Sequence, residues 1–189
     1  MINNSIASVL GLVYLLSEFG IALNRRADAK RSRPADNGSL GLLWLVIGLG
    51  VAASFVAAGS LPAARMGNPL AVRVMGVAIF VAGLAIRWYS IAQLGRFFTV
   101  NVAIAADHRL IETGPYRLVR HPSYTGALMA FVGLALCLAN WASLAVMIVP
   151  VFLVFRRRMQ IEEAALLQAF GDQYRNYMSR TRRLIPAIY

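Results

Sequence analysis

The sequence predicts an all-α, polytopic membrane protein with about five transmembrane helices and a cytoplasmic C-terminal amphipathic helix. Of its 189 residues, 59% are hydrophobic and only 14% are charged, whereas soluble domains average about 45–50% apolar and about 25% charged residues. Long apolar stretches alternate with short segments that hold most of the basic residues. Residues 1–189 are therefore expected to form a single membrane domain.

Three apolar stretches in residues 1–91 are long enough to cross a bilayer, which takes about 20 mostly apolar residues. Arg73 and Arg87 lie near the ends of the third stretch, where long side chains are expected to reach the lipid headgroups. The predicted spans are Ser5–Leu23, Leu40–Leu61 and Pro69–Ile91.

A helical hairpin is predicted for Ser123–Phe155, which is 33 residues without a charge. One straight helix of this length would be about 50 Å long, against a hydrocarbon core of about 30 Å. Two helices joined at Asn140 fit the bilayer better. Each arm is somewhat short for a full span, so the count of about five spans includes two short ones.

The basic residues test this topology. Sixteen of the 19 lysines and arginines lie in the first loop, in residues 92–122, or after residue 155. With five spans and the N-terminus outside, all three regions face the same side, and the positive-inside rule makes that side cytoplasmic. We therefore expect a multi-pass protein of the cell membrane with a cytoplasmic C-terminus.

Composition argues against two other classes of site. The net charge of +11 comes from arginines that separate apolar runs, which is typical of membrane flanks and not of a nucleic-acid surface. One cysteine, Cys137, and two histidines, His108 and His121, are too few for a dedicated Cys/His metal site. No nucleic-acid partner and no metal are expected.

The candidate chemistry begins in the run Gly114–Tyr124. Pro122 suits the first position of a helix, which places His121 at the cap, near free backbone N–H groups that favour an anionic ligand. Tyr124 follows within the first turn. The alternative is that His121 and Tyr124 only cap the helix and anchor it at the interface.

Arg158 and Glu162 lie four residues apart and share one face of a helix. Alone they could be a surface ion pair. However, the two arms of the hairpin return to the same surface, which brings this pair beside His121 and Tyr124. A cation, a carboxylate and aromatic groups at the border of water and lipid suit one polar ligand from the cytosol and one lipid-like ligand from the bilayer.

The tail carries an amphipathic pattern, and Gly171-Asp172 is expected to end one helix and begin the next. This last helix either lies on the membrane surface or covers a bound ligand. The apolar positions are Ile161, Leu166, Phe170, Tyr174, Tyr177 and Met178.

Within the second half of the chain, residues 92–189, the stretch from about Ala92 to Ile188 resembles the isoprenylcysteine carboxyl methyltransferase family of membrane enzymes. The similarity depends on several short motifs in order, none of which is specific alone. They are Leu94-Gly95, His108-Arg109-Leu110-Ile111, Gly114-Pro115-Tyr116-Arg117, Arg120-His121-Pro122-Ser123-Tyr124-x-Gly126, Glu162-Glu163, Phe170-Gly171, Tyr174, Tyr177 and Ile185-Pro186.

The resemblance implies a catalytic half that binds S-adenosylmethionine without a Rossmann domain. It implies that Arg158 orients the carboxylate of a lipophilic or prenylated substrate, which takes the methyl group by in-line displacement. A family glutamine falls near Asn101, a shorter amide. The implied cofactor-binding residues are Asn101, His108, Arg109, Leu110, Ile111, Tyr116, His121, Pro122, Ser123, Tyr124 and Glu162.

The sequence is also compatible with two other functions. The His-Pro-x-Tyr box and the ending Ile185-Pro186-Ala187-Ile188-Tyr189 also look similar to NADPH-dependent membrane reductases of the sterol reductase type. In that group the box has Asn where this chain has Ser123. A non-catalytic membrane binding protein is the third alternative.

Overall fold

The computed structural model describes residues 5–24, 33–34, 39–98, 103–104 and 109–189. Within these ranges the fold is a set of six α-helices with one two-residue antiparallel ladder, in which β1 (Arg33–Pro34) pairs with β2 (Ala103–Ile104). The helices are α1 (Ser5–Asn24), α2 (Ser39–Ser60), α3 (Pro69–Leu94), α4 (Pro122–Cys137), α5 (Trp141–Phe170) and α6 (Asp172–Arg180).

Three of these helices, α1, α2 and α3, are long and apolar enough to cross a membrane. The predicted multi-pass helical architecture is therefore confirmed. The fourth helix is apolar but has only 16 residues, or about 24 Å at 1.5 Å per residue. The fifth has 30 residues, and its first charged residue is Arg156. The count of five spans stays a prediction.

The hairpin turn lies where the uncharged stretch predicted it. The Asn140 side chain caps α5 by accepting a hydrogen bond from the Ser143 N–H at 3.1 Å, and its amide donates to the Leu61 carbonyl at 2.9 Å. The Met66 N–H donates to the Ala139 carbonyl at 2.9 Å. The turn is thereby fixed to the α2–α3 connection.

Glycines let α3 and α4 pack with their backbones in contact. A Cβ atom added at Gly83 would lie 2.6 Å from the Gly126 carbonyl oxygen, and one at Gly126 would lie 2.5 Å from that of Gly83. Gly76 faces the backbone of Gly133 in the same way. Gly76 and Gly83 thus provide the small surfaces that close helix packing requires.

Gly48 in α2 does not pack against a neighbouring helix. A Cβ atom at Gly48 would meet nothing within 4 Å. The α2–α5 contact is made by Gly50, close to the Met147 backbone, and by the Ser143 hydroxyl, which donates to the Ser54 carbonyl at 2.7 Å. Hydropathy alone does not distinguish two glycines that are two positions apart on a helix.

We expect Gly126→Ala to lower the thermal stability of the detergent-purified protein, because no space exists for the new methyl group between α3 and α4. The matched control is Gly48→Ala, which is also inside a helix but meets open space and should raise stability by roughly 0.5–1 kcal/mol. Similar melting temperatures for the two variants would contradict the close packing of α3 against α4.

Candidate functional site

A cavity opens at the polar ends of α3, α4 and α5 and extends between the helices towards α1 and α2. Its volume is about 130 Å³, and one water molecule needs roughly 10–15 Å³ of such space. The cavity is therefore suited to an organic ligand. It is lined by Tyr14, Glu18, Leu40, Leu43, Trp44, Ile47, Arg87, Leu94, Phe97, Phe98, Leu110, Ile111, Tyr116, Arg120, His121, Ser123, Tyr124, Phe155, Arg158, Glu162, Leu166, Tyr174 and Tyr177.

Three side chains predicted to meet across the hairpin form a continuous hydrogen-bonded group. The Arg158 Nε donates to the Tyr124 hydroxyl at 3.0 Å, and that hydroxyl donates to Glu162 Oε2 at 3.2 Å. Arg158 is buried, with 4% of its surface exposed, whereas the Glu162 side chain is 34% exposed. A fixed guanidinium and a reachable carboxylate thus face the same cavity.

His121 is the N-cap residue of α4, but its ring makes no capping hydrogen bond. The ring lies instead against α5, with Nε2 3.2 Å from Glu163 Oε1 and Nδ1 4.0 Å from Glu162 Oε2. The ring therefore accepts no hydrogen bond from the backbone N–H groups of the first turn. The simple capping explanation of His121 does not fit its ring contacts.

Glu163 accepts several hydrogen bonds that the sequence did not predict. Its buried carboxylate accepts from Arg120 Nε at 2.9 Å and from Arg183 Nη2 at 2.7 Å, in addition to the His121 contact. Burial alone would raise the pKa of this carboxyl, but the hydrogen bonds from His121, Arg183 and Arg120 hold the pKa well below its usual range. Glu163 is therefore an anion at neutral pH, at the centre of three basic side chains.

The segment after α6 is joined to the start of α4 by backbone bonds. The N–H groups of Arg120 and His121 donate to the carbonyls of Arg182 and Arg183 at 2.7 and 2.9 Å. The Arg120 Nη1 also donates to the Thr181 carbonyl at 2.5 Å. The end of the described chain therefore forms part of the support of the site.

The α6 helix covers the cavity. This position favours a role in covering a bound ligand over a location on the membrane surface. Gly171 adopts φ +52° between α5 and α6, a conformation that glycine tolerates best. Tyr174 and Tyr177 are buried and line the cavity. The Tyr177 hydroxyl donates to the Tyr116 carbonyl at 2.7 Å.

One buried ion pair in the cavity wall corrects a prediction. Arg87 was expected to reach the headgroups, but its Nε and Nη2 atoms lie 2.6 and 2.7 Å from the two carboxylate oxygens of Glu18. Its Nη1 donates to the Ser123 carbonyl at 3.3 Å. Both side chains are about nine-tenths buried. Opposite charges in two predicted spans were the signal, because intramembrane charges usually pair.

Arg73 has a partner within the protein, since its Nε donates to the Cys137 carbonyl at 3.3 Å, at the C-terminal end of α4. This contact satisfies a carbonyl that the helix end leaves without an intrahelical partner.

Most of the predicted cofactor residues meet in the cavity wall. Asn101 and His108 lie outside the described residues. Arg109 is exposed and is absent from the lining, and Pro122 is fully buried at the first turn of α4 without lining the cavity. The predicted residues that do line it are Leu110, Ile111, Tyr116, His121, Ser123, Tyr124, Arg158 and Glu162.

Comparison with known families identifies the chain. A family described as phospholipid methyltransferase matches residues 71–173, which is more than half of the sequence. The chain belongs to this family. The match begins in α3 and ends in α6, so it contains the α4–α5 hairpin and the Tyr124, Arg158 and Glu162 side chains.

Named relatives confirm the resemblance to isoprenylcysteine carboxyl methyltransferases. The chain is 33% identical over 119 residues to a probable protein-S-isoprenylcysteine O-methyltransferase from Oryza sativa, covering 62% of each sequence. It is 36% identical over 115 residues to protein-S-isoprenylcysteine O-methyltransferase A of Arabidopsis thaliana, covering 60% of this chain and 58% of the relative. The chain thus spans less than two thirds of the length of these relatives.

A solved structure has the same fold. The eukaryotic intramembrane Ras methyltransferase, isoprenylcysteine carboxyl methyltransferase, superimposes with a TM-score of 0.63 at 27% identity. The similarity covers 76% of this chain and 52% of that protein. The helical membrane architecture is therefore shared with a much longer enzyme.

We expect Glu163→Gln to destabilise the protein by about 3–5 kcal/mol, because it leaves buried basic groups without their counter-charge. The loss should depend on pH. Since the folded-state pKa is lowered, the wild-type carboxylate contributes fully above its ordinary pKa of 4.5 and loses that contribution as the pH falls. Melting temperatures measured from about pH 6 to about pH 3 should therefore converge for the two proteins.

The matched control is Asp172→Asn, which removes a carboxylate that pairs with Arg175 at 2.5 Å on the exposed surface. Exposed pairs contribute only about 0.2–1 kcal/mol. If both acid-to-amide changes had the same small effect at neutral pH, Glu163 would not hold the cluster together.

Proposed function

We propose that this chain is an integral-membrane methyltransferase that uses S-adenosylmethionine to methylate the carboxylate of a lipophilic acceptor. The observation that carries the proposal is the Arg158–Tyr124–Glu162 group, which faces a cavity with an apolar inner end. The polar group suits the reacting ends of two ligands, and the apolar end suits the hydrocarbon part of one of them.

The residues present fit the cofactor. Adenosine needs flat apolar surfaces, which Tyr116, Leu110 and Ile111 provide in the lining. An amino group needs an acceptor, and the partly exposed Glu162 carboxylate provides one. When bound, S-adenosylmethionine supplies an electrophilic methyl group on a sulfonium. The proposed binding residues are Leu110, Ile111, Tyr116, His121, Ser123, Tyr124 and Glu162, with Asn101, His108, Arg109 and Pro122 as further candidates from the motifs.

Arg158 is the proposed acceptor-binding residue. A carboxylate is already ionised near neutral pH, so the acceptor needs no general base. The Tyr124 hydroxyl fixes one edge of the guanidinium at 3.0 Å, and a planar guanidinium can bind a carboxylate through two parallel hydrogen bonds. Orientation of the acceptor is then the main contribution of the protein to the rate.

The apolar part of the cavity supports a lipid-like acceptor. Leu40, Leu43, Trp44 and Ile47 of α2 line it, together with Phe155 of α5. The names of the relatives specify isoprenylcysteine, so we propose a prenylated cysteine carboxylate or a similar lipophilic acid that enters from the bilayer. We further propose five spans with the cavity on the cytoplasmic side, where a soluble cofactor reaches it.

The binding test is a calorimetric titration of the detergent-purified protein with S-adenosylmethionine and with NADPH, followed by methyl-transfer kinetics. We expect only S-adenosylmethionine to bind.

Glu162→Gln should weaken the binding of S-adenosylmethionine by roughly 10–100-fold, since a hydrogen bond to a charged group is lost. Arg158→Lys should leave cofactor binding unchanged and reduce kcat/KM for the acceptor, because lysine cannot reproduce the two-pronged contact.

The matched control is Arg157→Lys, at an exposed position that does not line the cavity, which should change neither parameter. Binding of NADPH alone would favour the reductase hypothesis. Binding of neither nucleotide would favour a non-catalytic binding protein.

A further inference from the structure

The Tyr174 hydroxyl has no hydrogen-bond partner within the described part of the chain. The side chain is only 1% exposed, and it lines the cavity. It is also the only buried side-chain nitrogen or oxygen in those ranges that lacks a partner. Buried tyrosine hydroxyls usually find a partner, and an exception in a cavity wall points to a ligand that supplies one.

The neighbouring polar groups are already engaged. The Tyr177 ring lies 5.9 Å from the Tyr174 ring, and its hydroxyl donates to the Tyr116 carbonyl. The Tyr116 hydroxyl donates to the Ser90 carbonyl at 3.3 Å. Tyr174 is thus the member of this tyrosine group whose hydroxyl has no partner among the described residues.

The hydroxyl stays protonated and acts as a donor. Burial, followed by the nearby Glu163 carboxylate, raises the pKa of Tyr174 well above its ordinary value. A ligand atom at this position must therefore be an acceptor, either an oxygen or a nitrogen lone pair.

We propose that the Tyr174 hydroxyl donates a hydrogen bond to the nucleoside part of the bound cofactor. This inference rests on the proposed use of S-adenosylmethionine. The wall formed by Tyr174, Tyr177 and Tyr116 is aromatic and suits a flat heterocycle, whose ring nitrogens and ribose oxygens are acceptors. The same lining holds Arg158 and Glu162, whose charges suit the reacting and amino-acid ends.

The test is Tyr174→Phe, which removes only the hydroxyl. In the ligand-free protein this change should not lower the melting temperature, because no hydrogen bond is lost. Binding of S-adenosylhomocysteine and of methylthioadenosine, which lacks the amino-acid part, should weaken by the same factor of about 3–10. The control is Tyr177→Phe, which removes a hydroxyl that donates to Tyr116 and should lower the melting temperature without ligand.

Each outcome decides the inference. Unchanged binding of both ligands by Tyr174→Phe, or weaker binding of S-adenosylhomocysteine alone, would overturn the nucleoside contact while the proposed function stands. A loss of ligand-free stability like that of Tyr177→Phe would show that the hydroxyl is already bonded. If wild-type protein bound neither ligand, the proposed function would fail and this inference with it.

Discussion

The Glu163 carboxylate is the interaction on which the site depends. It accepts hydrogen bonds from Arg120, His121 and Arg183, which come from the start of α4 and from the segment after α6. One anion on α5 therefore joins this helix to two other parts of the chain. Because the group is buried, removing its charge would leave the Arg120 and Arg183 guanidinium groups without compensation, which is far more costly than losing an exposed pair.

Two adjacent residues have different roles in this arrangement: Glu163 holds the surrounding segments together, and Glu162 faces the proposed ligand. Neighbouring positions on a helix point about 100° apart, so Glu163 faces the basic groups while Glu162 faces Tyr124 and the cavity. The Arg158–Tyr124–Glu162 group can then be held in place and still present a partly exposed carboxylate. Close packing of α3 on α4 adds a second constraint, since it places Arg87 against the Ser123 carbonyl and the Glu18 carboxylate.

Local and periodic features of the fold were predictable. The length of the uncharged stretch required a hairpin, and Asn140 marked its turn. The same hairpin brought Arg158 and Glu162 beside His121 and Tyr124. Contacts between distant segments were harder to predict. The opposite charges of Glu18 and Arg87 in two apolar spans were a signal that they pair, although 69 positions separate them. Nothing in the sequence distinguishes the bonded hydroxyl of Tyr177 from that of Tyr174.

The most direct test of the proposed chemistry is the transfer of a labelled methyl group. Purified protein would be incubated in vesicles with methyl-labelled S-adenosylmethionine and a farnesylated cysteine whose carboxylate is free. We expect a lipophilic labelled product that releases labelled methanol on treatment with base, as a carboxyl ester does. A matched acceptor with an amidated carboxyl group should take up no label. A base-stable product, or equal labelling of the amide, would contradict the assignment of Arg158 as a carboxylate-binding residue.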